Sequence, residues 1–384
     1  MNTQKQKVAI NISGGYVPGI NSVIAGAVLA ADELGWEVTG IRDGFDGLLF
    51  PDRYPDGGMI KLTPAIVESL LSSTGVILGT SVSSDPFHVR TVSEYSVNET
   101  DRSDELLDII RRENIQGVIS VAGNRSLGII YKLHRKGLRT VCIPKSVEND
   151  MEATMLSFGF NSTLSFTTEI LERARQAAES AGKIGVVEVL GEHSGWLALQ
   201  SAIAVCADAV LIPEIPYEPG KVAAKLQGKF NRGKTYGLVV VAEGASPSKD
   251  HKNVENPLRA SLSPLATGSE GSHVIERTGH AAETVALELR RFTAHDTYPL
   301  VTGQLVKGGT PTATDRQLGV AYGTGAILAL KENQSGVMVA FRPPDLKFIP
   351  LKEAINKIRT VPSDSIFMKV ARGMGISLGD GGGI

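Results

Sequence analysis

The amino-acid sequence predicts an α/β protein with two domains, each a three-layer arrangement of helices around a largely parallel sheet. Short apolar runs rich in β-branched residues recur along the chain, and amphipathic segments follow them. The 42 glycines fall mostly where these runs end, which is typical of short loops between strands and helices. A length of 384 residues is enough for about two domains with a large buried core.

The clearest strand–helix–strand unit lies within residues 117–150. The β-branched run Val118–Val121 ends in the polar segment Ala122–Ser126, and an amphipathic helix follows. The next run, Thr140–Ile143, leads directly into Pro144–Asp150. Parallel strands place both polar segments at the same carboxyl edge of a sheet, where open α/β sheets bind ligands. We therefore expect polar and ionisable groups to meet there.

The same patterns predict the rest of the chain in order. Further strands are expected at residues 8–12, 36–41, 75–81, 183–190, 210–214, 236–241, 298–303 and 338–341. Helices are expected up to residue 34 and at residues 104–112, 164–181, 197–206, 276–292 and 317–330. Ser162 or Thr163 is expected to cap the helix at 164–181. Polar composition at 246–272 predicts a flexible surface excursion, and the glycine-rich tail after Met374 is expected to be loose.

Charge and cysteine content exclude several classes of protein. The 39 lysines and arginines almost balance the 41 aspartates and glutamates, so neither a nucleic-acid nor an anionic-membrane partner is predicted. Cys142 and Cys206 are the only cysteines, and both lie in apolar runs typical of buried thiols, so a disulfide framework is excluded. No apolar segment has the length of a membrane span. We expect a cytoplasmic protein.

Two polar segments indicate phosphate chemistry. The loop Ser13–Asn21 holds two adjacent glycines before a helix, and the exposed N–H groups at a helix start bind anions, although a plain tight turn is the commoner explanation of two glycines. Glu148 and Asp150 supply carboxylates that hold a divalent metal or accept a hydroxyl proton. A structural explanation of this pair fits equally well, in which one carboxylate caps the next segment and the other is a solvated charge in the loop. Because lysine and arginine lie beside these loops, phosphoryl transfer is the most economical interpretation.

A set of short motifs occurs in a fixed order along residues 13–316. They are SGGYVPGIN (13–21), DGFDG (43–47), GTS (79–81), AGNRS (122–126), PKSVEND (144–150), VEVLGEHSGW (187–196), AEGA (242–245) and GGTPTATDR (308–316). In this order they resemble the site motifs of the 6-phosphofructokinase family, over roughly residues 7–345. The resemblance implies two Rossmann-like three-layer domains of the phosphofructokinase type. A donor-binding domain would span 1–160 with about 304–357, and an acceptor-binding domain 161–303 with about 358–384.

Carried over residue by residue, the resemblance implies three groups of site residues in a Mg²⁺-dependent phosphotransferase. The phosphate donor would contact Gly14, Gly15, Gly123, Arg125, Ser126 and Lys145. Glu148 would accept the proton, with Asp150 and Ser146 also in the catalytic group, and Asn124 and Asp150 would organise the Mg²⁺. The acceptor would contact Lys183, Leu190, Gly191, Glu192, Glu243, Tyr298, Gln304 and Lys307.

Two residues favour the pyrophosphate-using branch of that family. Lys145 matches the lysine of that branch, and Arg125 stands where ATP-using enzymes need a glycine to admit the nucleotide. A long arginine would exclude adenosine, yet it would grip a short phosphate chain. The resemblance therefore implies transfer from a pyrophosphate-like donor, with ATP disfavoured, to a sugar phosphate such as fructose 6-phosphate.

Other departures from the family pattern fall on its chemistry and define a degenerate active site. Asn124 and Glu148 replace aspartates, and Val82 replaces an arginine that stabilises the transition state. The acceptor site differs as well, at Glu192, Tyr298 and Gln304. A second hypothesis is therefore a catalytically inactive paralogue that binds a phosphorylated metabolite or serves as a regulatory partner subunit. The expected partners are small phosphorylated metabolites and further copies of the chain, as a dimer or tetramer, or an active homologue in a hetero-oligomer.

Overall fold

The computed structural model describes residues 5–71, 73–93, 96–248 and 280–382. The strands are β1 (Lys7–Ser13), β2 (Glu37–Ile41), β3 (Met59–Leu62), β4 (Val89–Ser93), β5 (Ser96–Thr100), β6 (Gly117–Ala122), β7 (Thr140–Pro144), β8 (Ile184–Val189), β9 (Ala209–Leu211), β10 (Gly237–Ala242), β11 (Thr297–Val301), β12 (Val337–Arg342) and β13 (Asp345–Pro350). The helices are α1 (Ile20–Glu33), α2 (Asp46–Leu49), α3 (Pro64–Val67), α4 (Ser103–Arg112), α5 (Asn124–Arg135), α6 (Phe160–Ala181), α7 (Trp196–Ala204), α8 (Pro219–Phe230), α9 (His280–Thr293), α10 (Ala313–Lys331), α11 (Leu351–Ala354) and α12 (Ile366–Gly373). Short 3-10 turns lie at Pro51–Arg53, Glu68–Leu70 and Gly303–Lys307.

The chain forms two compact units, and each is built from two stretches of sequence. The first unit comprises Met1–Thr163 and Lys307–Arg359. The second comprises Leu164–Val306 and Thr360–Ile384. The excursion predicted at 246–272 lies outside the described residues from residue 249 onward. None of the helices in the described ranges is long and apolar enough to cross a membrane.

The first unit contains a seven-stranded sheet in the order β13-β12-β7-β6-β1-β2-β3. Strands β12, β7, β6, β1 and β2 are parallel, and β3 and β13 are antiparallel to them at the two edges. All six residues of β6 are buried, as expected of a central strand covered on both faces. From β1 the chain moves to β2 on one side and later to β6 on the other. The carboxyl ends of β1 and β6 therefore form the switch point at which such sheets bind ligands.

Helices α1 and α10 of the first unit pack backbone to backbone because small residues line their contact. A Cβ atom on Gly323 would overlap the carbonyl oxygen of Val23 and lie 2.7 Å from the amide nitrogen of Ala27. A Cβ atom on Gly26 would likewise overlap the backbone of Val320. No side chain fits at either glycine without separating the two helices.

The second unit contains a four-stranded parallel sheet in the order β11-β8-β10-β9. Its core combines the faces of β8, β9 and β10 with the apolar sides of α8 and α9. The buried residues include Val186, Leu211, Val239, Leu226 and Leu289. Together the two sheets confirm the predicted α/β class with largely parallel strands.

Two expectations about the first unit are wrong. Residues 75–81 form turns instead of a strand, because Asn21 accepts a hydrogen bond from the amide of Ile77 and Arg42 donates one to its carbonyl oxygen. Only Ser81 forms a bridge to the end of β1. Helix α6 begins at Phe160, so the predicted cap residues lie inside its first turn.

The predicted loose tail is also wrong over the residues that the structure describes. Ser377 forms a bridge to Ala209 at the edge of the second sheet. The Arg372 guanidinium donates to the Asp380 carboxylate at 2.5 Å, which ties the chain back to α12. Of the two cysteines, Cys142 is buried as expected but Cys206 is exposed.

We predict that Gly323→Ala lowers the free energy of unfolding by about 1–3 kcal/mol, because the new methyl group meets backbone that cannot rotate away. The matched control is Gly128→Ala in α5, where an added Cβ atom meets nothing within 4 Å. That control should raise stability by up to about 1 kcal/mol through helix propensity. Urea unfolding of both variants measures the difference, and equal effects of the two substitutions would contradict the proposed close approach.

Candidate functional site

Three loops of the first unit begin side by side at the carboxyl edge of its sheet. The register pairs Ser13 with Ala122 and Ala122 with Pro144, so β1, β6 and β7 end at the same level. The loops that follow contain Gly14–Gly15, Gly123–Ser126 and Lys145–Asp150, which we call the loop cluster. Strand pairing thus brings Gly14–Gly15 beside two segments that lie more than a hundred residues later in the sequence.

Lys145 lies at the centre of the loop cluster. Its side chain is buried, with 3 % exposure for the residue, and its ammonium donates a hydrogen bond to the carbonyl oxygen of Gly15. A Cβ atom on Gly14 would lie 3.5 Å from Lys145 Nζ and 3.4 Å from Ser126 Oγ, so these groups surround one point. Gly14 has a φ of 88°, a conformation that favours glycine.

Among the described residues, no carboxylate forms an ion pair with the buried Lys145 ammonium. Burial, and secondarily the nearby charge of Lys307, lower the pKa of Lys145 to about 7. The carbonyl oxygen of Gly15 supplies only a partial negative charge. An anion bound beside Lys145 would favour the protonated form and offset the repulsion between the two lysines.

The segment Gly79–Val82 lies against the first loop. The Thr80 hydroxyl donates a hydrogen bond to the carbonyl oxygen of Gly14, and the Gly14 amide donates one to the carbonyl oxygen of Ser81 at 2.8 Å. Val82 is 84 % exposed, and its Cγ1 lies 3.9 Å from the position of a Cβ atom on Gly15. The side chain that the sequence resemblance aligns with an arginine is thus apolar and exposed.

Asp150 is hydrogen-bonded through both carboxylate oxygens. The Ser146 hydroxyl donates to Oδ1 at 2.5 Å, and the Asn124 amide Nδ2 donates to Oδ2 at 2.6 Å. The backbone amide of Glu148 donates to Ser146 Oγ at 3.1 Å. The polar residues predicted from Pro144–Asp150 thus form one network with the start of α5. These donors hold the Asp150 carboxylate in a fixed orientation.

Arg125 stands exposed at the start of α5. Within the described part of the chain, its guanidinium has no hydrogen-bond or ion-pair partner. Gly123 lies two residues before Arg125, and a Cβ atom on Gly123 would be 3.6 Å from the carbonyl oxygen of Lys145. Arg125 therefore supplies a cation that is available to a ligand at the loop cluster.

Asp315 has a structural role that the sequence did not reveal. Its buried carboxylate accepts hydrogen bonds from the amides of Gly159 at 2.8 Å and Ser162 at 2.6 Å, and from the Ser162 hydroxyl at 2.6 Å. Burial raises the pKa of Asp315, and the hydrogen bonds from Ser162 oppose that rise. Asp315 thus caps α6 in place of the predicted Ser162 or Thr163. The only sequence signal for it is its place in the GGTPTATDR motif.

The second unit brings together part of the predicted acceptor group. The amide of Gly191 donates to Glu243 Oε1 at 3.3 Å, and a Cβ atom on Gly244 would overlap the carbonyl oxygen of Glu192. Leu190 is buried beneath this loop, whereas the side chain of Glu192 is exposed. These residues follow β8 and β10 at one edge of the sheet.

Other predicted acceptor residues lie elsewhere. Lys183 directly precedes β8, and its Nζ is 3.9 Å from Asp296 Oδ2. Eight residues, or roughly 25 Å of strand, separate Lys183 from Gly191 at the other end of β8. Tyr298 pairs with Gly185 in the same region and donates its hydroxyl proton to the carbonyl oxygen of Ala174 at 2.6 Å. Gln304 lies in the 3-10 turn after β11, and Lys307 belongs to the first unit near Lys145.

The predicted metal residues supply one carboxylate. Among the described residues, no group of three or more His, Cys, Asp or Glu is placed to hold a metal ion. Mg²⁺ in phosphate sites is commonly bound by one or two carboxylates together with substrate phosphates and water. Asp150, with the amide oxygen of Asn124 beside it, fits that limited requirement.

The fold and the loop cluster are those of an α/β protein whose ligand-binding loops follow the carboxyl ends of parallel strands. The family model for phosphofructokinase matches residues 7–330, and the chain belongs to the phosphofructokinase family. It is 35 % identical over 380 residues to the "ATP-dependent 6-phosphofructokinase" of Chloroflexus aurantiacus, covering 99 % of each chain. It is 32 % identical over 368 residues to "ATP-dependent 6-phosphofructokinase 2" of Streptomyces coelicolor, covering 93 % of this chain and 97 % of that relative.

Solved structures agree on the fold. The pyrophosphate-dependent phosphofructokinase of Marinobacter aquaeolei superposes with a TM-score of 0.73 at 18 % identity, covering 97 % of this chain and 88 % of that one. Phosphofructokinase from Saccharomyces cerevisiae gives a TM-score of 0.72 at 24 % identity, covering 91 % of this chain and 45 % of that one. The predicted family is thus confirmed, and the chain is a phosphofructokinase-type phosphotransferase.

We predict a pH-dependent gain in stability for Lys145→Met. Because the folded pKa is about 7 and the ordinary value is 10.5, the unfolded chain holds a proton between these pH values that the folded chain lacks. Wild-type stability therefore rises with pH across that window, and the advantage of the methionine variant is largest below pH 7 and fades towards pH 10.5. At about 1.4 kcal/mol for each pKa unit, the advantage should reach a few kcal/mol.

Urea unfolding of wild type and variant at pH 6 and pH 9 measures this change. The control is Lys357→Met, at an exposed lysine of the same unit, which should show no such trend. A constant difference between wild type and Lys145→Met at both pH values would contradict the buried ammonium.

Proposed function

We propose that the protein is an active, Mg²⁺-dependent phosphotransferase that moves a phosphoryl group from a pyrophosphate-like donor to a sugar phosphate such as fructose 6-phosphate. The observation that supports this most is the buried Lys145 ammonium among Gly14, Gly15 and Ser126, with Lys307 near it. Two lysines in this position favour a multiply charged anion. Phosphoryl transfer needs mainly positioning and charge stabilisation, which such a group supplies.

The choice of donor depends on Arg125. Its exposed guanidinium lies at the edge of the loop cluster, where it is placed to bind the second phosphate of a short donor. The family resemblance places Arg125 where ATP-using members have a glycine, so we expect this side chain to hinder a nucleotide. The names of the Chloroflexus and Streptomyces relatives favour ATP instead, so the assay must compare both donors.

Glu148 is the proposed acceptor of the proton from the attacking hydroxyl. It lies on the loop that Ser146 and Asp150 organise, two residues from each of them. Glutamate reaches one methylene further than the aspartate of the family pattern, so the loop must be displaced slightly for the same geometry. Ser146 positions the loop through its bonds to the Glu148 amide and the Asp150 carboxylate.

Asp150 is the proposed protein ligand of Mg²⁺, with Asn124 Oδ1 as the second contact. When bound, the ion would neutralise charge on the donor phosphates. Asn124 brings no charge of its own, and in its present orientation its amide Nδ2 donates a hydrogen bond to the Asp150 carboxylate. The site therefore depends on the donor phosphates for the rest of the coordination.

The positions of the predicted acceptor-binding residues support a homo-oligomer, either a dimer or a tetramer. Lys183 and Tyr298 lie at the amino ends of their strands, whereas Gly191 and Glu243 lie at the carboxyl ends. Lys183 therefore cannot reach the Gly191 loop of its own chain, and a second copy is required if both bind one acceptor. The phosphorylated metabolite would then contact residues of two subunits.

A non-catalytic role is the second candidate, and two observations favour it. Val82 places an exposed apolar group where the family pattern has a charge-stabilising arginine, and Asn124 leaves the metal site with one carboxylate. In this case the protein binds a phosphorylated metabolite or acts as the partner subunit of an active homologue. Ligand-induced thermal stabilisation without turnover for any donor and acceptor pair, in folded protein, would select it.

We predict turnover with Mg²⁺, pyrophosphate and a phosphosugar that exceeds turnover with ATP. Arg125→Gly should lower kcat/KM for pyrophosphate about 10- to 100-fold, because a charge-assisted hydrogen bond is lost. The same variant should raise the use of ATP. Arg135→Gly, at the other end of α5, is the matched control and should leave the donor preference unchanged. This choice of donor would be refuted if the wild type prefers ATP and Arg125→Gly leaves the donor preference unchanged.

We predict that Asn124→Asp couples protein stability to Mg²⁺. The substitution places two carboxylates where Asn124 Nδ2 and Asp150 Oδ2 are now 2.6 Å apart, so their repulsion lowers the melting temperature without metal. Mg²⁺ should restore the melting temperature of this variant more than that of wild type or Asn124→Ala. Equal responses of the three proteins to Mg²⁺ in thermal unfolding would show that no ion binds between these positions.

A further inference from the structure

Arg359 holds the backbone of the Lys145–Asp150 loop from a distant part of the sequence. Its guanidinium Nη1 donates to the carbonyl oxygen of Asn149 at 3.1 Å. Its backbone amide donates to the carbonyl oxygen of Asp150 at 2.8 Å. The preceding residue, Ile358, forms an antiparallel bridge to Met151. One short segment therefore binds the last two residues of the loop and Met151, which follows them.

The local conformation of the loop explains why such support is needed. Asn149 has a φ of 55°, in the left-handed region, and turns the chain between Glu148 and Asp150. Its side chain accepts from the amide of Ser157 at 3.0 Å and donates to the carbonyl oxygen of Met155 at 3.3 Å. These bonds fix the side chain of Asn149 and leave its carbonyl oxygen to Arg359. Arg359 is thus the residue that holds the carbonyl side of the peptide between residues 149 and 150.

Arg359 also brings a positive charge to the loop. Burial lowers the pKa of its guanidinium, and the charge of Glu152 opposes that effect, but an arginine remains protonated throughout. A charge-assisted bond to a carbonyl oxygen is stronger than a neutral one. Arg359 lies beyond residues 7–330, the part that the family model matches, and none of the motifs includes it.

We infer that Arg359 is a positioning residue for the proposed reaction, acting through the peptide between Asn149 and Asp150 to fix the Glu148 and Asp150 carboxylates. This inference rests on the proposed function only for its kinetic consequence. A carboxylate displaced by about 1 Å costs on the order of a hundredfold in rate. Neither Lys145 nor Arg125, the proposed donor-binding cations, is held by Arg359, so at saturating Mg²⁺ the loss of Arg359 should affect kcat far more than KM for the donor.

The experiment compares Arg359→Met, which keeps the length of the stem, and Arg359→Lys, which keeps one charged donor, with a matched control. The control is Arg342→Met, because Arg342 Nε donates at 3.2 Å to the carbonyl oxygen of Ala153, three residues past the loop. Two readouts are needed. Amide hydrogen exchange over residues 146–151 reports the loop without any turnover, and steady-state kinetics with pyrophosphate and a phosphosugar report kcat and KM separately.

We expect exchange in the loop to increase about tenfold or more in Arg359→Met, less in Arg359→Lys, and not in Arg342→Met. We expect kcat to fall about a hundredfold in Arg359→Met, with KM for pyrophosphate within about threefold, and to recover most of the loss in Arg359→Lys. Unchanged exchange in folded Arg359→Met, or an equal increase in Arg342→Met, would overturn the inference.

The two proposals fail in different ways. A wild type with no turnover contradicts the proposed function, and the exchange data still decide the role of Arg359. If Arg359→Met does not fold, Arg359→Lys decides. Loop exchange faster than in wild type supports the inference, and exchange equal to that of wild type overturns it. A fall in kcat that is matched by an equal rise in KM for pyrophosphate would also overturn it, since that pattern indicates a role in binding.

Discussion

The buried ammonium of Lys145 is the constraint on which the site depends. A cation taken out of water is costly unless an opposite charge or strong acceptors replace its hydration. Here the carbonyl oxygen of Gly15 is a partial replacement, and Lys307 adds repulsion to the cost. The fold tolerates this arrangement because three strand ends hold the loops in place around it. A ligand that carries negative charge is then the natural partner of the protein.

The other residues of the loop cluster are of two kinds: those suited to bind a ligand, and those that orient a neighbouring side chain or the backbone. Arg125 is exposed and oriented by no partner in the described ranges, so it is suited to bind a ligand. Asp150 is fully engaged by Ser146 and Asn124, so it is oriented before any ligand arrives. Arg359 extends that orientation to the backbone. The site thus combines an ordered loop with cations that have no carboxylate partner among the described residues, which suits the proposed transfer of a phosphoryl group.

Sequence patterns were sufficient for the fold class and for the unit at 117–150, because period and β-branched composition report burial directly. Family motifs were sufficient for the residues of the loop cluster that the structure brings together. The apolar pattern was misleading at residues 75–81. It predicts a strand there, but hydrogen bonds with Asn21 and Arg42 hold this segment in turns. Asp315 and Arg359 were missed for the same physical reason. Each acts on backbone that is far away in the chain, and no local pattern records such a partner.

The most direct test of this account is the pKa of Lys145 itself, measured by NMR of the ¹³Cε-labelled side chain and assigned with Lys145→Met. The account predicts a pKa near 7 in the free protein. Methylenediphosphonate, a non-transferable pyrophosphate analogue, should raise that pKa by about one to three in the presence of Mg²⁺. A pKa near 10.5 in the free protein, or one that the analogue leaves unchanged, would contradict the central claim that a buried ammonium at this sheet edge binds the phosphate donor.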